Sequence, residues 1–408
     1  MLKLSMQSLY VHIPFCLKKC IYCDFVSGIY NPAKADAYIE ALKKEIQNIS
    51  DAIYPSSVHL PGTSTLYIGG GTPTALSTEC LTDLITNIFA HFNFKSPHPP
   101  FNKGGQERGK NYEATIEANP GTVDRTKLSA ILSSGINRLS IGVQSFDDNA
   151  LACLGRLHTA EDAERAVLLA GEAGFKNIGI DLIYAIPGQG MAGWEKTLKK
   201  AVSLKLQHIS AYELTVEKGT MLYEYIKNPP IPPLTKGGKG GFLDEEKIIE
   251  MYNYAIDYLT SEGYIHYEIS NFSLPGYQCR HNLNYWQRGE YYGAGTGASS
   301  FINGKRLHNT ERIDDYIKLI SANKSPVKDT EVITKEQALS EAIFLGLRQT
   351  EGINADFFSQ KYGKDLLAYY RKEIAELEDA GLLAFKGNHL RLTRKGILLS
   401  NEVFKKFM

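Results

Sequence analysis

Hydrophobic positions in the first half of the chain fall into two alternating patterns. Short β-type apolar runs occupy residues 9–14, 65–69, 114–118, 138–143, 177–184 and 208–214. Between them lie stretches with apolar residues at helical spacing: 35–49 (Tyr38, Leu42, Ile46, Ile49), 76–89, 125–133, 160–173 and 193–203. Strand and helix in strict alternation predict an α/β fold with a parallel sheet. Six such units are too few for a closed eight-stranded TIM barrel, so the count predicts an open, partial (β/α)6 TIM-like barrel over residues 1–243.

Two segments break this pattern. Residues 97–111 read PHPPFNKGGQERGKN and residues 229–242 read PPIPPLTKGGKGGF. Both are rich in Pro, Gly and Lys and lack an apolar period, so neither can bury a core. They resemble each other and read as two low-complexity insertions into surface loops. The alternative, a pair of anion-binding glycine loops, requires a strand end before and a helix start after, and neither segment has both.

After residue 243 the pattern changes. Residues 245–262 predict a helix, and 264–272 with 291–308 predict a β extension with Gly-rich bends, together a second region at 244–330. Helical patterns follow at 335–347, 355–362 and 366–380, then a hairpin at 382–392 around Lys386-Gly387-Asn388 and a last helix at 396–407. Helices with a small hairpin predict a winged-helix-like α+β domain at 331–408. Such a module can bind DNA, but these helices carry no dense basic face, and a packing domain beside the barrel fits as well.

Composition narrows the classes. Hydrophobic residues make up 43% of the 408 and charged residues 22%, as in an ordinary globular protein. Lys plus Arg and Asp plus Glu are each 45, so an electrostatically driven nucleic-acid binder is not indicated. No apolar run is long enough to span a bilayer, and residues 1–15 lack the layout of a signal peptide. The expectation is a cytoplasmic protein, whose six cysteines are ligands or free thiols rather than disulfides.

Three of those cysteines, Cys16, Cys20 and Cys23, fall within eight residues directly after the first strand, while Cys80, Cys153 and Cys279 are scattered. Iron–sulfur clusters are held by Cys thiolates, and three ligands for four irons leave one iron open to a small ligand. A zinc alternative takes His12 as fourth ligand in a Cys3His site. The run Gly69-Gly70-Gly71-Thr72-Pro73-Thr74 ends the second strand. Its glycines admit a ligand close to the backbone, or make a tight strand-to-helix turn. Glu117, Gln144 and Thr215 end strands three, four and six, and Asp181 lies in strand five. Polar groups at the C-terminal ends of parallel barrel strands converge on one mouth. Arg156, following strand four, can clamp a carboxylate bidentately.

Here the chain resembles the radical S-adenosylmethionine (SAM) superfamily. More narrowly, it is similar to the subfamily holding the oxygen-independent coproporphyrinogen III oxidases and the HemW-like heme chaperones. The residues that carry the resemblance are Tyr-Val-His-Ile-Pro-Phe-Cys at 10–16, Cys-Asp-Phe at 23–25 and Gly-Gly-Gly-Thr-Pro-Thr at 69–74. Gly-Val-Gln-Ser-Phe at 142–146, Asp-Leu-Ile-Tyr at 181–184 and Pro-Gly-Gln at 187–189 belong to it too. It covers nearly the whole chain apart from the two insertions. It implies a radical SAM barrel and a [4Fe-4S] cluster on Cys16, Cys20 and Cys23, whose open iron binds the methionine part of SAM. An electron delivered to the cluster would then cleave the sulfonium bond and release a 5′-deoxyadenosyl radical. By motif position, Gly70, Gly71, Thr72 and Glu117 would hold the methionine part. Gln144, Arg156, Asp181 and Thr215 would contact the ribose or carboxylate, and Tyr10 and Tyr22 would flank the cluster and adenine.

Three features separate the two subfamilies. The oxidases resemble C-x3-C-x2-C-x-C, and the last of those positions is Phe25 here. They also carry a long N-terminal arm, whereas 15 residues precede Cys16. Finally, Cys279-Arg280-His281-Asn282-Leu283-Asn284-Tyr285-Trp286 is similar to the HNxxYW signature of the heme chaperones. All three point to a heme-trafficking protein that takes heme to acceptor apoproteins such as respiratory enzymes, with an electron donor for its cluster. Heme iron takes axial His, Cys or Tyr. His281 or Cys279 could serve, with Asn282 in the same motif and Tyr285 and Trp286 stacking on the macrocycle. The alternatives stay open: a hydrogen-bonded core histidine among core aromatics, an oxidative decarboxylase of coproporphyrinogen III, or a radical SAM enzyme with another substrate.

Overall fold

Each of the six strands of the first half alternates between two faces. In a computed structural model, which describes residues 7–53, 63–92, 94, 112–227 and 244–408, these strands are β1 (Gln7–Ile13), β2 (Thr63–Gly70), β3 (Glu113–Ala118), β4 (Arg138–Gln144), β5 (Ile178–Tyr184) and β6 (His208–Glu213). Leu9, Val11 and Ile13, Leu66 and Ile68, Ile116, Leu139 and Ile141, Ile180 and Leu182, and Ile209 are buried under the helices in one core. The intervening residues are mostly polar or small and point the other way, because successive side chains of a strand face opposite sides. The six strands pair in chain order and in parallel. Their connections include the helices α1 (Pro32–Ile53), α2 (Thr78–His91), α3 (Arg125–Ser133), α4 (Ala160–Glu172) and α5 (Met191–Ser203). Local chemistry starts them: Ser77, Asp124 and Thr159 accept backbone N–H bonds as N-caps, and Thr159 with Asp162 closes a capping box. The expected partial barrel is the fold found.

The β extension does not form a separate layer. Helix α6 (Glu245–Ser261) leads into β7 (Ile265–Glu268) and β8 (Asn271–Ser273), which continue the sheet antiparallel beyond β6. Helix α7 (Arg280–Trp286) follows, then β9 (Tyr291–Ala294), parallel to β1, and the antiparallel β10 (Ser299–Ile302), β11 (Lys305–Asn309) and β12 (Val327–Val332). The result is one 12-stranded open sheet whose core includes Met251, Phe272, Ala294 and Tyr316. Buried Glu45 on α1 fastens the extension: it accepts from Gly295 N at 2.7 Å, Asn309 Nδ2 at 2.8 Å and Tyr316 Oη at 2.5 Å.

The C-terminal unit has a hydrophobic core of its own, including Ile343, Phe358, Leu366, Leu390 and Val403. Helices α9 (Lys335–Gly346), α10 (Ala355–Tyr362), α11 (Leu366–Tyr369) and α12 (Arg371–Asp379) surround a three-stranded antiparallel sheet. Its strands are β13 (Ile353–Asn354), β14 (Leu383–Lys386) and β15 (His389–Leu392), with β15 in the middle. The long helices expected at 366–380 and 396–407 are each broken in two, at Tyr370 and Leu399. Several elements were not expected, among them the short helices at Asp148–Cys153 and Met221–Lys227 and the three that follow. Helix α7 turns His281 and Asn284 inward, so its buried face is polar. Helix α8 (Ile313–Ser321) packs an apolar face, Ile313, Tyr316, Ile317 and Ile320, against the core. Strand β12 is an exposed, charged edge without apolar alternation. The two Pro/Gly/Lys-rich segments lie outside the described residues.

Candidate cofactor cleft

The cysteine loop is pinned at both ends before any ligand is considered. Phe15–Cys16 pairs in parallel with Gly28–Ile29, Gly28 N donates to Pro14 O at 2.7 Å, and Tyr30 N donates to Cys16 O at 2.8 Å. The His12 ring spans the base of the loop, with Nε2 2.7 Å from Val26 O and Nδ1 2.9 Å from Tyr10 Oη. Cys16, Cys20 and Cys23 then line one cleft of about 700 Å³ over the strand ends, together with Tyr22, Gly70, Gly71, Thr72, Glu117, Gln144, Arg156 and Asp181. Burial pushes the Cys16 and Cys23 thiols up. Thr72 Oγ1 approaches Cys16 Sγ at 3.6 Å, and Arg156 Nη1 approaches Cys20 Sγ at 3.3 Å.

This donor set suits a cluster better than a single ion. Both His12 ring nitrogens already have partners, so the Cys3His zinc alternative lacks its fourth ligand. Among the described residues no three His, Cys, Asp or Glu are gathered tightly enough for one ion. A cubane's cysteines each bind a different iron and stand further apart. Three positive groups, Lys18, Lys19 and Arg156, line the same cleft and offset the charge of thiolate ligands.

The triple glycine is explained first by the protein's own packing. A Cβ at Gly69 would stand 2.8 Å from the Glu117 carboxyl, at Gly70 2.4 Å from the His12 ring, and at Gly71 2.8 Å from Phe15 O. Gly70 also has φ +110°, the left-handed region open to glycine. Its N–H donates to Glu117 Oε2 at 3.0 Å, and Gly71 N–H to Ile13 O at 2.8 Å. The tight turn is therefore real, and Gly70 and Gly71 line the cleft as well.

Polar strand ends do converge. Glu117 Oε1 accepts from Tyr67 Oη at 2.8 Å, and burial raises the Glu117 carboxyl to about 7. Asp181, raised by burial too, accepts from Ser140 Oγ at 3.3 Å. Gln144 sits at φ 67°, a strained position for a non-glycine residue, at the end of β4. Arg156 Nη2 donates to Asn119 Oδ1 and Gly142 O, both at 2.7 Å, and Asn119 Nδ2 donates to Thr72 Oγ1 at 2.8 Å. A relay of polar contacts thus runs Cys16–Thr72–Asn119–Arg156–Cys20. Thr215 lies in an adjoining cleft of about 980 Å³ that shares Tyr22, Glu117, Gln144 and Asp181 with the first. Tyr10 lines neither cleft; it stacks on Tyr67 at 6.3 Å. Sequence reasoning missed Asn119, Tyr67 and Ser140. Asn119 stood in the Glu-Ala-Asn-Pro run, and the other two alternate with apolar core residues along β2 and β4.

The HNxxYW region is not at this mouth. Helix α7 closes the opposite end of the lumen, beside the N-terminal ends of the strands. Glu113 at the start of β3 accepts from His281 N and Arg280 N, both at 3.0 Å, and Cys279 Sγ lies 3.6 Å from it. His281 is 1% exposed, with Nδ1 2.8 Å from Thr65 Oγ1 and Nε2 2.8 Å from Tyr285 Oη. Burial first, and then Arg138, lowers the His281 pKa to about 3, and burial pushes the Cys279 thiol up to about 12. Neither His281 nor Cys279 is presented to a ligand here, so the core-histidine alternative describes this conformation. Asn282 is half-buried and lines none of the clefts described. Trp286, one turn on, faces a separate groove against the C-terminal unit.

Comparison with known proteins bears on the family and the fold. A model of the Radical SAM superfamily matches residues 10–201, and one of the HemN C-terminal domain matches residues 333–399. The chain is 36% identical over 403 residues to heme chaperone HemW of Bacillus subtilis, covering 99% of each. It is 35% identical to heme chaperone HemW of Escherichia coli, covering 76% of this chain and 75% of that protein. Among solved structures, coproporphyrinogen III oxidase (HemN) from Escherichia coli superposes with a TM-score of 0.81 over 99% of this chain and 90% of the other. At 23% identity that likeness speaks for the fold alone.

Proposed function

The chain belongs to the heme chaperone HemW family of the radical SAM superfamily, and on that premise we propose that it takes up heme and passes it to acceptor apoproteins. We assign a [4Fe-4S] cluster to Cys16, Cys20 and Cys23 and SAM to the cleft above it. When bound, the cluster supplies one-electron chemistry on the sulfonium of SAM. The protein's own part is to bind and orient. Gly70, Gly71, Thr72 and Glu117 would hold the methionine part, and Gln144, Arg156, Asp181 and Thr215 the ribose or carboxylate. Tyr22 walls both clefts. Acceptors such as respiratory enzymes and an electron donor complete the proposed cycle. Among the described residues no helix is long and apolar enough to cross a membrane.

The observation that supports this reading is the single cleft joining three thiols, Arg156 and the Glu117–Asp181 carboxylates over the strand ends. The chaperone is favoured over the oxidase by the relatives' name and by Phe25 at the oxidases' fourth cysteine position. The deciding experiment incubates anaerobically reconstituted protein with SAM, reductant and coproporphyrinogen III, beside an optical titration with hemin. Hemin uptake without porphyrinogen decarboxylation is expected. Accumulation of protoporphyrinogen would overturn the chaperone reading.

A further inference from the structure

We propose that heme docks in the groove between the end of α7 and the C-terminal unit, with the His389 imidazole as axial ligand to its iron. This rests on the heme-chaperone reading and locates its cargo.

The groove shares no lining residue with the two clefts over the cluster loop. Trp286, Ile353, Phe357 and Tyr362 give it apolar and aromatic wall area, beside polar Gln349 and Glu351. Phe357, in the first turn of α10, is 59% exposed, an aromatic that packing within this chain does not require. The Trp286 indole N–H is buried without an acceptor, while Arg348 stacks on its ring at 4.4 Å. Flat aromatic walls suit a flat macrocycle.

Two polar groups complete the match. The Lys361 ammonium donates to Gln287 O at 3.0 Å and stands 5.9 Å over the Phe357 ring and 5.4 Å over the Tyr362 ring, which sets a positive charge in the groove wall. His389 opens β15 between β13 and β14, and its side chain is 31% exposed. Its Nε2 is 3.8 Å from Glu351 Oε1, too far for a hydrogen bond. The contrast with His281 is direct: that ring has both nitrogens bonded inside the barrel, whereas His389 reaches an aromatic groove that solvent can enter. Heme iron takes an axial histidine, and this groove offers one.

The test titrates the full-length, cluster-loaded protein with hemin and, separately, with metal-free protoporphyrin IX. Two variants at exposed or half-exposed positions, His389→Ala and Phe357→Ser, are compared with wild type, using cluster absorbance as the control for folding. Expected is a shifted Soret band and at least tenfold weaker hemin binding in His389→Ala, with protoporphyrin binding unchanged. Phe357→Ser should weaken both ligands. An unchanged Soret band and hemin affinity in His389→Ala would overturn this inference and leave the chaperone reading standing. Equal loss of hemin and protoporphyrin in that variant would overturn the axial role. Failure of wild type to take up hemin would overturn both.

Discussion

At the mouth of the barrel Glu117 and Asp181 face an open cleft, whereas at its floor Glu113 gives its oxygens to the backbone of α7. Both ends gather carboxylates, an arginine, a cysteine and tyrosines in one lumen. At the floor, His281, Tyr285, Thr65 and Ser8 bond to one another, and α7 shuts out water. At the mouth, three thiols line a cavity beside Arg156 and the two carboxylates. The same residue types therefore make a packed plug or a ligand site according to whether the neighbouring elements leave a cavity beside them.

Four measurements press on this contrast. The largest effect is expected at the mouth: alanine at Cys16, Cys20 or Cys23 should abolish the iron–sulfur chromophore, checked by iron and sulfide counts and visible absorbance. At the floor, Glu113→Ala should leave the chromophore per folded molecule intact and cost about 4 kcal/mol in a denaturant titration. It strands two backbone donors and the buried Arg138 charge. A chromophore lost in step with stability would break the distinction between the two ends.

A third measurement uses pH. Burial raises the Glu117 carboxyl from 4.5 to about 7. A raised folded value means the group's contribution is fully present below about pH 4.5 and is lost as pH climbs to 7. The loss is up to about 3 kcal/mol, from 1.36 kcal/mol per unit of pKa. Stability of Glu117→Gln measured across that window should lack this slope; an identical slope would place the titration elsewhere. The smallest effect is expected at the relay. Asn119→Ala removes the bridge between Thr72 and Arg156 and should weaken SAM binding about tenfold, or about 1.4 kcal/mol, by calorimetry on the cluster-loaded protein.

How far the sequence could be read follows from the same contrast. All six barrel strands were legible because each carries apolar residues every second position under the helices, as Leu139, Ile141 and Val143 do. The mouth was legible because cysteine spacing and polar strand ends are local patterns. The floor was not. His281 lies 216 residues from its partner Thr65, and Glu113 lies 168 from the His281 amide it holds. Such pairings depend on topology, and a helix whose buried face is polar inverts the usual signal. Asn119 was hidden for a different reason: it bridges two expected residues without standing out from a Pro-preceding turn.

The short clamp from His12 to Val26 bears on where the entropy of closing the cysteine loop is met. With strand β1, the small Phe15–Cys16 pairing and that imidazole holding both ends of the cysteine hairpin, the receptacle's rim is set by the polypeptide itself. Closing a loop costs entropy whenever it happens, and here the chain meets that cost during folding. A cluster held by this loop would therefore meet a rim whose closing entropy the polypeptide has already met.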